Sequence, residues 1–251
     1  MTLSADADGD LGGARLASAR ALVVGVGALG CPAAWGLAAA GVGTLVLLDP
    51  DRVELSNLHR QWLHDGTRLG QPKVESAAAR LRRAFPRLRI EASPLALDTG
   101  NVAAFFAGAD VVVDATDGAA AKFLINDGAV RSGTPFVHAG ILGFLGQMLA
   151  VRPGHSACYR CLFPEPPAPD EAVTCQEAGV VGPIAGVIGS LQAAAAVQLL
   201  GVGGAAPTDR LVIVDGRSGR WRQVRLARDS RCPACSRRPD TDRLAAAAAA
   251  R

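Results

Sequence analysis

The sequence predicts an α/β fold in which a Rossmann-like, mostly parallel β-sheet is flanked by helices and continues into antiparallel strands near the C-terminus. Short apolar runs alternate with helical segments along most of the 251 residues, which is the order expected of βαβ units. Apolar residues make up 49% of the chain and aromatic residues only 4%, so a large aliphatic core can be buried. A glycine-rich turn directly follows the first strand, as in many parallel-sheet folds.

The first βαβ unit is the clearest part of this pattern. Residues 21–25 form a short apolar run that ends in Gly and predicts a buried strand. Residues 29–40 follow as a helix, with Pro32 in the first turn, where proline is tolerated. A second apolar strand over 44–49 completes the unit. Two strands joined by a helix in this way predict parallel pairing with a right-handed crossover.

The remaining periodic segments extend the pattern toward the C-terminus. The strand at 146–153 is expected to be antiparallel, and the last two strands are expected to form a hairpin. The expected helices cover 73–85, 122–132 and 184–200, and the further strands cover 88–93, 109–116, 134–140, 146–153, 211–216 and 221–227.

We expect a single domain over 1–251, because no internal repeat or clean change of composition divides the chain. Residues 1–19 are polar and rich in Gly and Ala, which predicts a loose N-terminus or a weak helix. Residues 153–183 combine prolines, cysteines and acids, which predicts a long crossover connection with a functional role. Residues 236–251 form a polar, Ala-rich tail with no assigned role.

The charge balance and the hydropathy pattern limit the classes of partner. The formal net charge is +3, which is too small to argue for nucleic acid binding. No apolar run looks long enough to span a bilayer, and the N-terminus lacks the pattern of a secretory signal. We therefore expect a cytoplasmic protein that binds neither nucleic acid nor a membrane.

Gly25, Gly27 and Gly30 form a Gly-x-Gly-x-x-Gly turn between the first strand and the first helix. Glycines allow a tight turn and a close approach of backbone to phosphate, and the helix N-terminus offers amide groups and partial positive charge. Asp49 ends the second strand, where a carboxylate can bind ribose hydroxyls. The pattern predicts a dinucleotide or ATP site without choosing between them, and a glycine turn without a ligand is the alternative.

Three charged residues beyond Asp49 favour a triphosphate. Arg60 and Lys73 can neutralise phosphate charge while pyrophosphate leaves, and Asp117 can hold Mg²⁺ near the phosphates. A dehydrogenase does not need such cations beside its ribose-binding acid. The alternative for Arg60 and Lys73 is ordinary surface charge, and the alternative for Asp117 is an N-cap of the next helix.

Short motifs follow one another in a characteristic order along the chain. They are Gly-x-Gly-x-Leu-Gly at 25–30, Asp-x-Asp-x-Val-x-x-Ser-Asn-Leu-x-Arg-Gln at 49–61, Gly-x-Pro-Lys at 70–73, Asp-x-Thr-Asp at 114–117, Cys-x-x-Cys at 158–161, Thr-Cys-x-Glu-Ala-Gly-Val at 174–180 and Cys-x-x-Cys at 232–235. From Ser18 to Cys235 the chain resembles the ThiF/MoeB/HesA family of ubiquitin-activating E1-like adenylyltransferases. The MoeB-type sulfur-carrier adenylyltransferases are the most similar branch.

This resemblance implies a role for each matching residue. The three glycines of the turn would form the nucleotide loop, Asp49 would bind the ribose, and Asp117 would coordinate Mg²⁺. The residues implied around the phosphates of ATP are Ser56, Asn57, Arg60, Gln61 and Lys73. Arg60, Lys73 and Asp117 are the implied catalytic residues of the adenylation step.

Cysteines form a second group of candidate residues. Cys158 and Cys161, with Cys232 and Cys235, can supply four thiolates to a tetrahedral zinc ion, which would be structural because no position remains for water. The resemblance supports zinc, whereas a pair of redox-active dithiols is the alternative from spacing alone. Cys175 lies in the crossover connection, where the resemblance makes it a candidate nucleophile and a passive cysteine is the alternative.

The resemblance implies ATP-dependent adenylation of the C-terminal glycine carboxylate of a small ubiquitin-like sulfur-carrier protein ending in Gly-Gly. The product would become a thiocarboxylate with sulfur from a separate persulfide donor, and the enzyme would be a homodimer. Two departures stand against this: an Arg-Tyr-x-Arg-Gln-like N-terminal segment is missing, and Gly118 replaces a common Asn. The alternatives are a degenerate carrier-binding module, an NAD-dependent oxidoreductase, and an enzyme that adenylates a peptide terminus.

Overall fold

The computed structural model describes residues 7–167 and 179–236, with side chains from residue 12 onward. In chain order the elements are α1 (Ala7–Ser18), β1 (Arg20–Val24), α2 (Gly30–Ala40), β2 (Thr44–Leu48), α3 (Lys73–Ala84), β3 (Arg89–Ser93), α4 (Val102–Ala107), β4 (Val111–Asp114), α5 (Ala119–Ser132), β5 (Phe136–Leu142), β6 (Leu145–Val151), α6 (Tyr159–Leu162), α7 (Gly182–Leu199), β7 (Arg210–Asp215) and β8 (Arg220–Arg225). Two short 3₁₀ turns, Leu55–Asn57 and Gly66–Arg68, lie between β2 and α3.

The strands form one sheet in the order β3-β2-β1-β4-β5-β6-β7-β8. The neighbours from β3 to β5 pair in parallel, and each needs a helical crossover to the next. From β5 onward the pairs β5–β6, β6–β7 and β7–β8 are antiparallel; short turns join β5 to β6 and β7 to β8, whereas α6 and α7 lie between β6 and β7. The predicted mixed sheet, the antiparallel strand at 146–153 and the C-terminal hairpin are all confirmed.

Two apolar layers cover the two faces of the sheet. On one face, side chains of β1 and β2 pack against α2, α3 and α7, as Leu37 and Leu81 show. On the other face, they pack against α4 and α5 through residues such as Phe106 and Ile125. Burial on both faces explains why the parallel strands are continuous apolar runs rather than alternating ones.

Helix α1 matches the weak-helix alternative for residues 1–19, within the described part of that segment. Leu16 is buried, and its carbonyl accepts hydrogen bonds from the amides of Ala19 and Gly43. A side chain at Gly43 would collide with the Ala17 carbonyl, so the end of α1 lies directly on the turn before β2. The helix is therefore fixed by tertiary contacts that a weak local propensity does not reveal.

Helix α7 is apolar around its whole circumference. By length and hydropathy alone it could cross a membrane, contrary to the expectation that no apolar run is long enough. However, 56% of it is buried inside the structure, against α2, β5 and β6. A central core helix has the same composition, because it contacts protein on most sides.

Candidate nucleotide site and cysteine cluster

The glycine turn lies where β1 ends and α2 begins, at the carboxyl edge of the parallel strands. Gly25 has a φ of +89°, and a Cβ there would lie 2.8 Å from the Ala115 carbonyl oxygen. A Cβ at Gly30 would collide with the Gly25 carbonyl. Only glycine therefore allows the turn to close against the end of β4, which leaves the amides at the start of α2 available for an anionic group.

Asp49 lies beneath this turn at the end of β2. Its Oδ2 accepts a hydrogen bond from the Val26 amide at 2.6 Å, and its Oδ1 accepts one from the Asp51 amide at 2.8 Å. Burial raises the pKa of Asp49, while the Val26 amide and the nearby Lys73 ammonium oppose that rise. The carboxylate thus holds the glycine turn in place, and its remaining lone pairs are the ones a ribose hydroxyl would use.

Lys73 begins α3 and reaches back toward the same strand end. Its Nζ lies 2.8 Å from Asp51 Oδ2, and the Asp51 side chain is 64% exposed although the lysine is buried. The Lys73 amide also donates to the Asp51 carbonyl. Lys73 is therefore a buried cation whose partner faces solvent. An incoming phosphate can reach the ammonium group from that side by displacing the Asp51 carboxylate. Sequence reasoning did not assign this role to Asp51.

Arg60 is held by the short 3₁₀ turn that precedes it. Its Nη2 donates to Asn57 Oδ1 at 2.6 Å, and its Nη1 donates to the Ser56 carbonyl at 3.2 Å. The Asn57 amide and the Ser56 hydroxyl both donate to Glu54 Oε2, at 3.1 Å and 3.3 Å. Glu54 was missed by the sequence analysis, although it lies inside the quoted motif.

Gln61 lies directly under the glycine turn. Its Nε2 is 3.5 Å from the position of a Cβ on Gly27. The side chain is buried, and its Oε1 has no hydrogen-bond partner among the described residues. A buried amide oxygen without a donor is costly, so this atom fits a ligand group that brings a donor.

Asp117 follows β4 and is exposed at the edge next to the glycine turn. Among residues 7–167 and 179–236, no hydrogen bond or ion pair engages its carboxylate. The helix N-cap is Gly118, with no side-chain cap, so the N-cap alternative for Asp117 is wrong. A carboxylate that is free to coordinate fits a Mg²⁺ ion near phosphate groups.

Beneath Asp117 lies a charged cluster that the sequence analysis did not single out. Asp114 is fully buried and receives the Thr116 amide and hydroxyl at 3.0 Å and 2.6 Å. Lys122 Nζ lies 3.2 Å from its other oxygen, which also contacts His138 Nδ1. Burial alone would raise the pKa of Asp114, but the Lys122 ammonium and His138 hold it well below its usual range. Burial lowers the pKa of His138, which favours its neutral form, and Lys122 forms the ion pair with the Asp114 carboxylate.

Helix α7 touches the site along a face of small residues. A side chain at Gly182 would lie 2.8 Å from the His59 carbonyl, and one at Gly189 would collide with the Leu29 carbonyl. Gln192, further along the helix, donates from Nε2 to the Asp114 carbonyl at 2.7 Å. One helix therefore contacts the turn that holds Arg60, the start of α2 and the end of β4.

The four cysteines of the two pairs converge at the far end of the sheet. Sγ–Sγ distances are 3.9 Å for Cys158–Cys161, 3.6 Å for Cys158–Cys232 and 3.4 Å for Cys161–Cys235, and all four sulfurs lie within 4.8 Å of one another. A tetrahedral zinc ion with Zn–S bonds of about 2.3 Å requires sulfurs about 3.8 Å apart. Burial raises the pKa of Cys235 to about 11, so a nearby cation is needed to hold it as a thiolate. The cluster fits a four-thiolate zinc site better than two separate dithiols.

The crossover connection contains one of the predicted site residues. Cys175, the candidate nucleophile, lies outside the described residues. After the gap the chain returns beside the β5–β6 turn, where Gly143 donates its amide to the Gly179 carbonyl at 2.9 Å and accepts from the Val181 amide at 3.3 Å. The connection therefore re-enters the fold next to the start of α7.

Comparisons with known proteins agree with this geometry. A model of the ThiF family matches residues 3–234. Mouse "Adenylyltransferase and sulfurtransferase MOCS3" is 42% identical over 231 residues, covering 92% of this chain and 50% of that protein. "SAMP-activating enzyme E1" of Haloferax volcanii is 43% identical over 230 residues, covering 92% of this chain and 85% of that protein. The chain thus spans about half the length of the MOCS3 relatives it matches.

Solved structures also resemble this chain in fold. E. coli MccB, crystallised with ATP, superposes with a TM-score of 0.80 at 20% sequence identity, covering 92% of this chain and 70% of that one. A complex of MccB with MccA-N7isoASN gives a TM-score of 0.81 at the same identity and covers the same shares of the two chains. At this identity the likeness establishes the shared fold.

Proposed function

Because the chain belongs to the ThiF family, we propose that it adenylates the C-terminal glycine carboxylate of a ubiquitin-like sulfur-carrier protein, at the expense of ATP. The observation that carries the proposal is the edge formed by the glycine turn and Asp49, with Lys73 on one side and Asp117 on the other. Such an edge offers separate groups for ribose, phosphate and a metal ion. The names of the relatives from mouse and Haloferax volcanii support an adenylyltransferase that activates another protein.

The proposed reaction is a substitution at the α-phosphorus of ATP. A carboxylate oxygen of the carrier attacks phosphorus, an acyl–oxygen–phosphorus bond forms, and the bond to the β-phosphate oxygen breaks to release pyrophosphate. Lys73 and Arg60 face the phosphate side, where they balance the charge that moves onto pyrophosphate. Lys73 must exchange Asp51 for phosphate oxygens, and the exposure of Asp51 makes that exchange inexpensive.

Asp117 is the residue that we propose for holding Mg²⁺, which would neutralise phosphate charge when bound. Its free carboxylate supports this role. Ser56, Asn57 and Gln61 are proposed to position the phosphates, because Asn57 and the Ser56 carbonyl fix the Arg60 guanidinium and Gln61 supports the glycine turn. The cysteine cluster is proposed to hold zinc as a structural ion that ties the segment after β8 to the segment after β6.

A protein substrate needs a docking surface, and one face of the antiparallel strands is exposed near the β5–β6 turn and along β8. We define the open sheet face as the side of β5–β8 opposite α7, on which Leu142, Leu145, Ile213 and Val224 lie; Leu142 and Leu145 are 40% and 50% exposed. Arg222 lies on the same face, opposite Ile213 in the neighbouring strand. The face suits a partner with an apolar patch and acidic groups, and we propose that the carrier docks there.

Further parts of the proposal rest on the family alone. They are a homodimer, a separate persulfide donor that converts the adenylate to a thiocarboxylate, and a cytoplasmic location. Cys175 is proposed as a nucleophile that acts on the acyl-adenylate after adenylation, with a passive cysteine as the alternative. Because the chain belongs to the ThiF family, the proposal does not retain the alternative of an NAD-dependent oxidoreductase.

The test is ATP–pyrophosphate exchange by the purified protein with a panel of small carriers that end in Gly-Gly. Carrier-dependent exchange is the expected result. The Glu91→Gln variant is a control, because it alters an exposed carboxylate on β3 that pairs with Arg20 and should leave exchange unchanged. Binding of a carrier without exchange would contradict the proposed activity and favour a carrier-binding module.

A further inference from the structure

The loop that carries Asp117 depends on a buried ion pair one layer below it. We propose that Lys122 and Asp114 form an anchor that positions the Thr116–Asp117 loop against the glycine turn, so that both are positioning residues for the metal-binding carboxylate. The inference rests on the proposed function for the role of Asp117. The anchoring itself rests on contacts within the chain.

The first step of the argument is the way Asp114 holds the loop. One carboxylate oxygen accepts both the amide and the hydroxyl of Thr116, at 3.0 Å and 2.6 Å. These two bonds fix the backbone of the residue immediately before Asp117. The Gly25 turn packs on the same segment, because a Cβ at Gly25 would lie 2.8 Å from the Ala115 carbonyl and 3.3 Å from the Thr116 amide nitrogen. A shift of the loop would therefore also displace the nucleotide turn.

The second step is the need for Lys122. Asp114 is fully buried, and a buried carboxylate is stable only when it is paired and hydrogen-bonded. Lys122 Nζ supplies the charge at 3.2 Å and also donates to the Ala139 carbonyl at 2.6 Å. One side chain of α5 thus joins the end of β4 to the middle of β5. His138 contacts the same carboxylate oxygen, and burial lowers the pKa of its ring, which disfavours a second cation beside Lys122.

The third step is a comparison with the next turn of the same helix. Asn126 is also fully buried on α5, and its Oδ1 accepts the Tyr159 amide at 2.9 Å, near the cysteine cluster. It supports a neighbouring segment as Lys122 does, but within residues 7–167 and 179–236 it forms no hydrogen bond with Asp114 or the loop. The two residues therefore separate anchoring of the loop from general support of α5.

The experiment compares Lys122→Met, Thr116→Val and Asn126→Ala with the unaltered protein by two measurements. The first is hydrogen–deuterium exchange of the 114–121 backbone amides in the absence of ligands. The second is the Mg²⁺ concentration that gives half-maximal ATP–pyrophosphate exchange. Lys122→Met and Thr116→Val should speed amide exchange in 114–121 and raise that Mg²⁺ concentration about 10- to 100-fold, the usual effect of losing a group that orients a metal ligand. Asn126→Ala should lower the melting temperature and change neither measurement.

Three outcomes would overturn the inference. The first is a folded Lys122→Met protein with unchanged amide exchange and an unchanged Mg²⁺ requirement. The second is an equal change in Asn126→Ala, because any loss of packing in α5 would then loosen the loop. The third applies if Lys122→Met does not fold. It is a folded Thr116→Val protein with unchanged amide exchange in 114–121 and an unchanged Mg²⁺ requirement. Absence of pyrophosphate exchange in the unaltered protein contradicts the proposed function instead, and the amide-exchange arm still tests the anchor.

Discussion

The parallel half of the sheet and its antiparallel extension place their polar groups in opposite ways. In the parallel half, charged side chains are buried at strand ends and satisfied there, as with Asp49 under the glycine turn and Asp114 beside Lys122. In the extension, the charged side chains of β8 are exposed, and the buried thiols of the cysteine cluster lie beside it. Substitutions in the first region should therefore change chemistry, whereas substitutions in the second should change stability or docking.

The largest effect is expected for Cys232→Ser. The change removes one of four converging thiolates, and the binding energy of a structural zinc ion is folding energy. We expect loss of about one zinc ion per chain and a fall in the free energy of unfolding of more than about 5 kcal/mol. Zinc content by metal analysis and a melting curve measure both. A variant with unchanged zinc content would refute the four-cysteine site.

Asp117→Ala should have the next largest effect and should act on chemistry alone. We expect carrier-dependent pyrophosphate exchange to fall by at least about a hundredfold, since the change removes a proposed metal ligand. The melting temperature should stay within about 2 °C, because the carboxylate is exposed and forms no hydrogen bond or ion pair in the described residues. Exchange close to that of the unaltered protein would remove Asp117 from the proposed mechanism.

Leu145→Asp tests the open sheet face. A charge placed on an exposed apolar side chain should weaken docking of a protein partner but leave the nucleotide site intact. We expect the KM for the carrier to rise about tenfold while the KM for ATP is unchanged. Trp221→Asp is a matched control, because that side chain is 55% exposed on the other side of β8. Equal effects of the two substitutions would argue against docking on the open sheet face.

Gly25→Ala is expected to have a moderate effect on both stability and ATP binding. The residue has positive φ, and the new methyl group would lie 2.8 Å from the Ala115 carbonyl oxygen. We expect a loss of about 1–3 kcal/mol in the free energy of unfolding and a higher KM for ATP. Gly41→Ala serves as the control for strain alone, because it has positive φ at the end of α2 and open space around it. An unchanged KM for ATP in Gly25→Ala would contradict the close approach of the turn to phosphate.

The smallest effect is expected at Cys31, the buried cysteine near the nucleotide turn. Burial raises the pKa of its thiol to about 12, so the thiolate is scarce at pH 8 and the thiol is shielded from reagents. Brief treatment with iodoacetamide at pH 8 should leave Cys31 unmodified in the folded protein and modify it after denaturation. Mass spectrometry of the peptides gives the result. Rapid labelling of Cys31 in the folded state would contradict its burial and the raised pKa of its thiol.

Hydrophobic periodicity predicted most of the fold, because buried parallel strands and apolar helices leave a direct mark on the sequence. The short helix α4 was missed, since six residues provide too little periodicity. Helix α1 was expected only as a loose segment or a weak helix, because its stability comes from contacts with the turn before β2. Periodicity reports burial and says nothing about which distant segment supplies a contact.

Only some residues of the candidate site were predicted from the sequence. Glycine spacing and charged motif positions located Asp49, Lys73 and Asp117 on one sheet edge. The pairing of Lys73 with Asp51 and of Asp114 with Lys122 could not be predicted, because each pair forms between separate elements. The unbonded Gln61 oxygen could not be foreseen either, since it depends on which donors the fold brings near.

The glycines of α7 have a consequence for anyone who wishes to make this protein more robust. Replacing helix-interior glycines by alanine is a standard route to thermostability, worth about 1 kcal/mol at each exposed position. At Gly189 the same change would push a methyl group into the Leu29 carbonyl, and alanine at Gly182, the first residue of α7, would meet the His59 carbonyl. Substitutions that raise the helix propensity of α7 at these positions would displace the backbone that holds Arg60 and the start of α2. Heat resistance would have to be sought elsewhere in the chain.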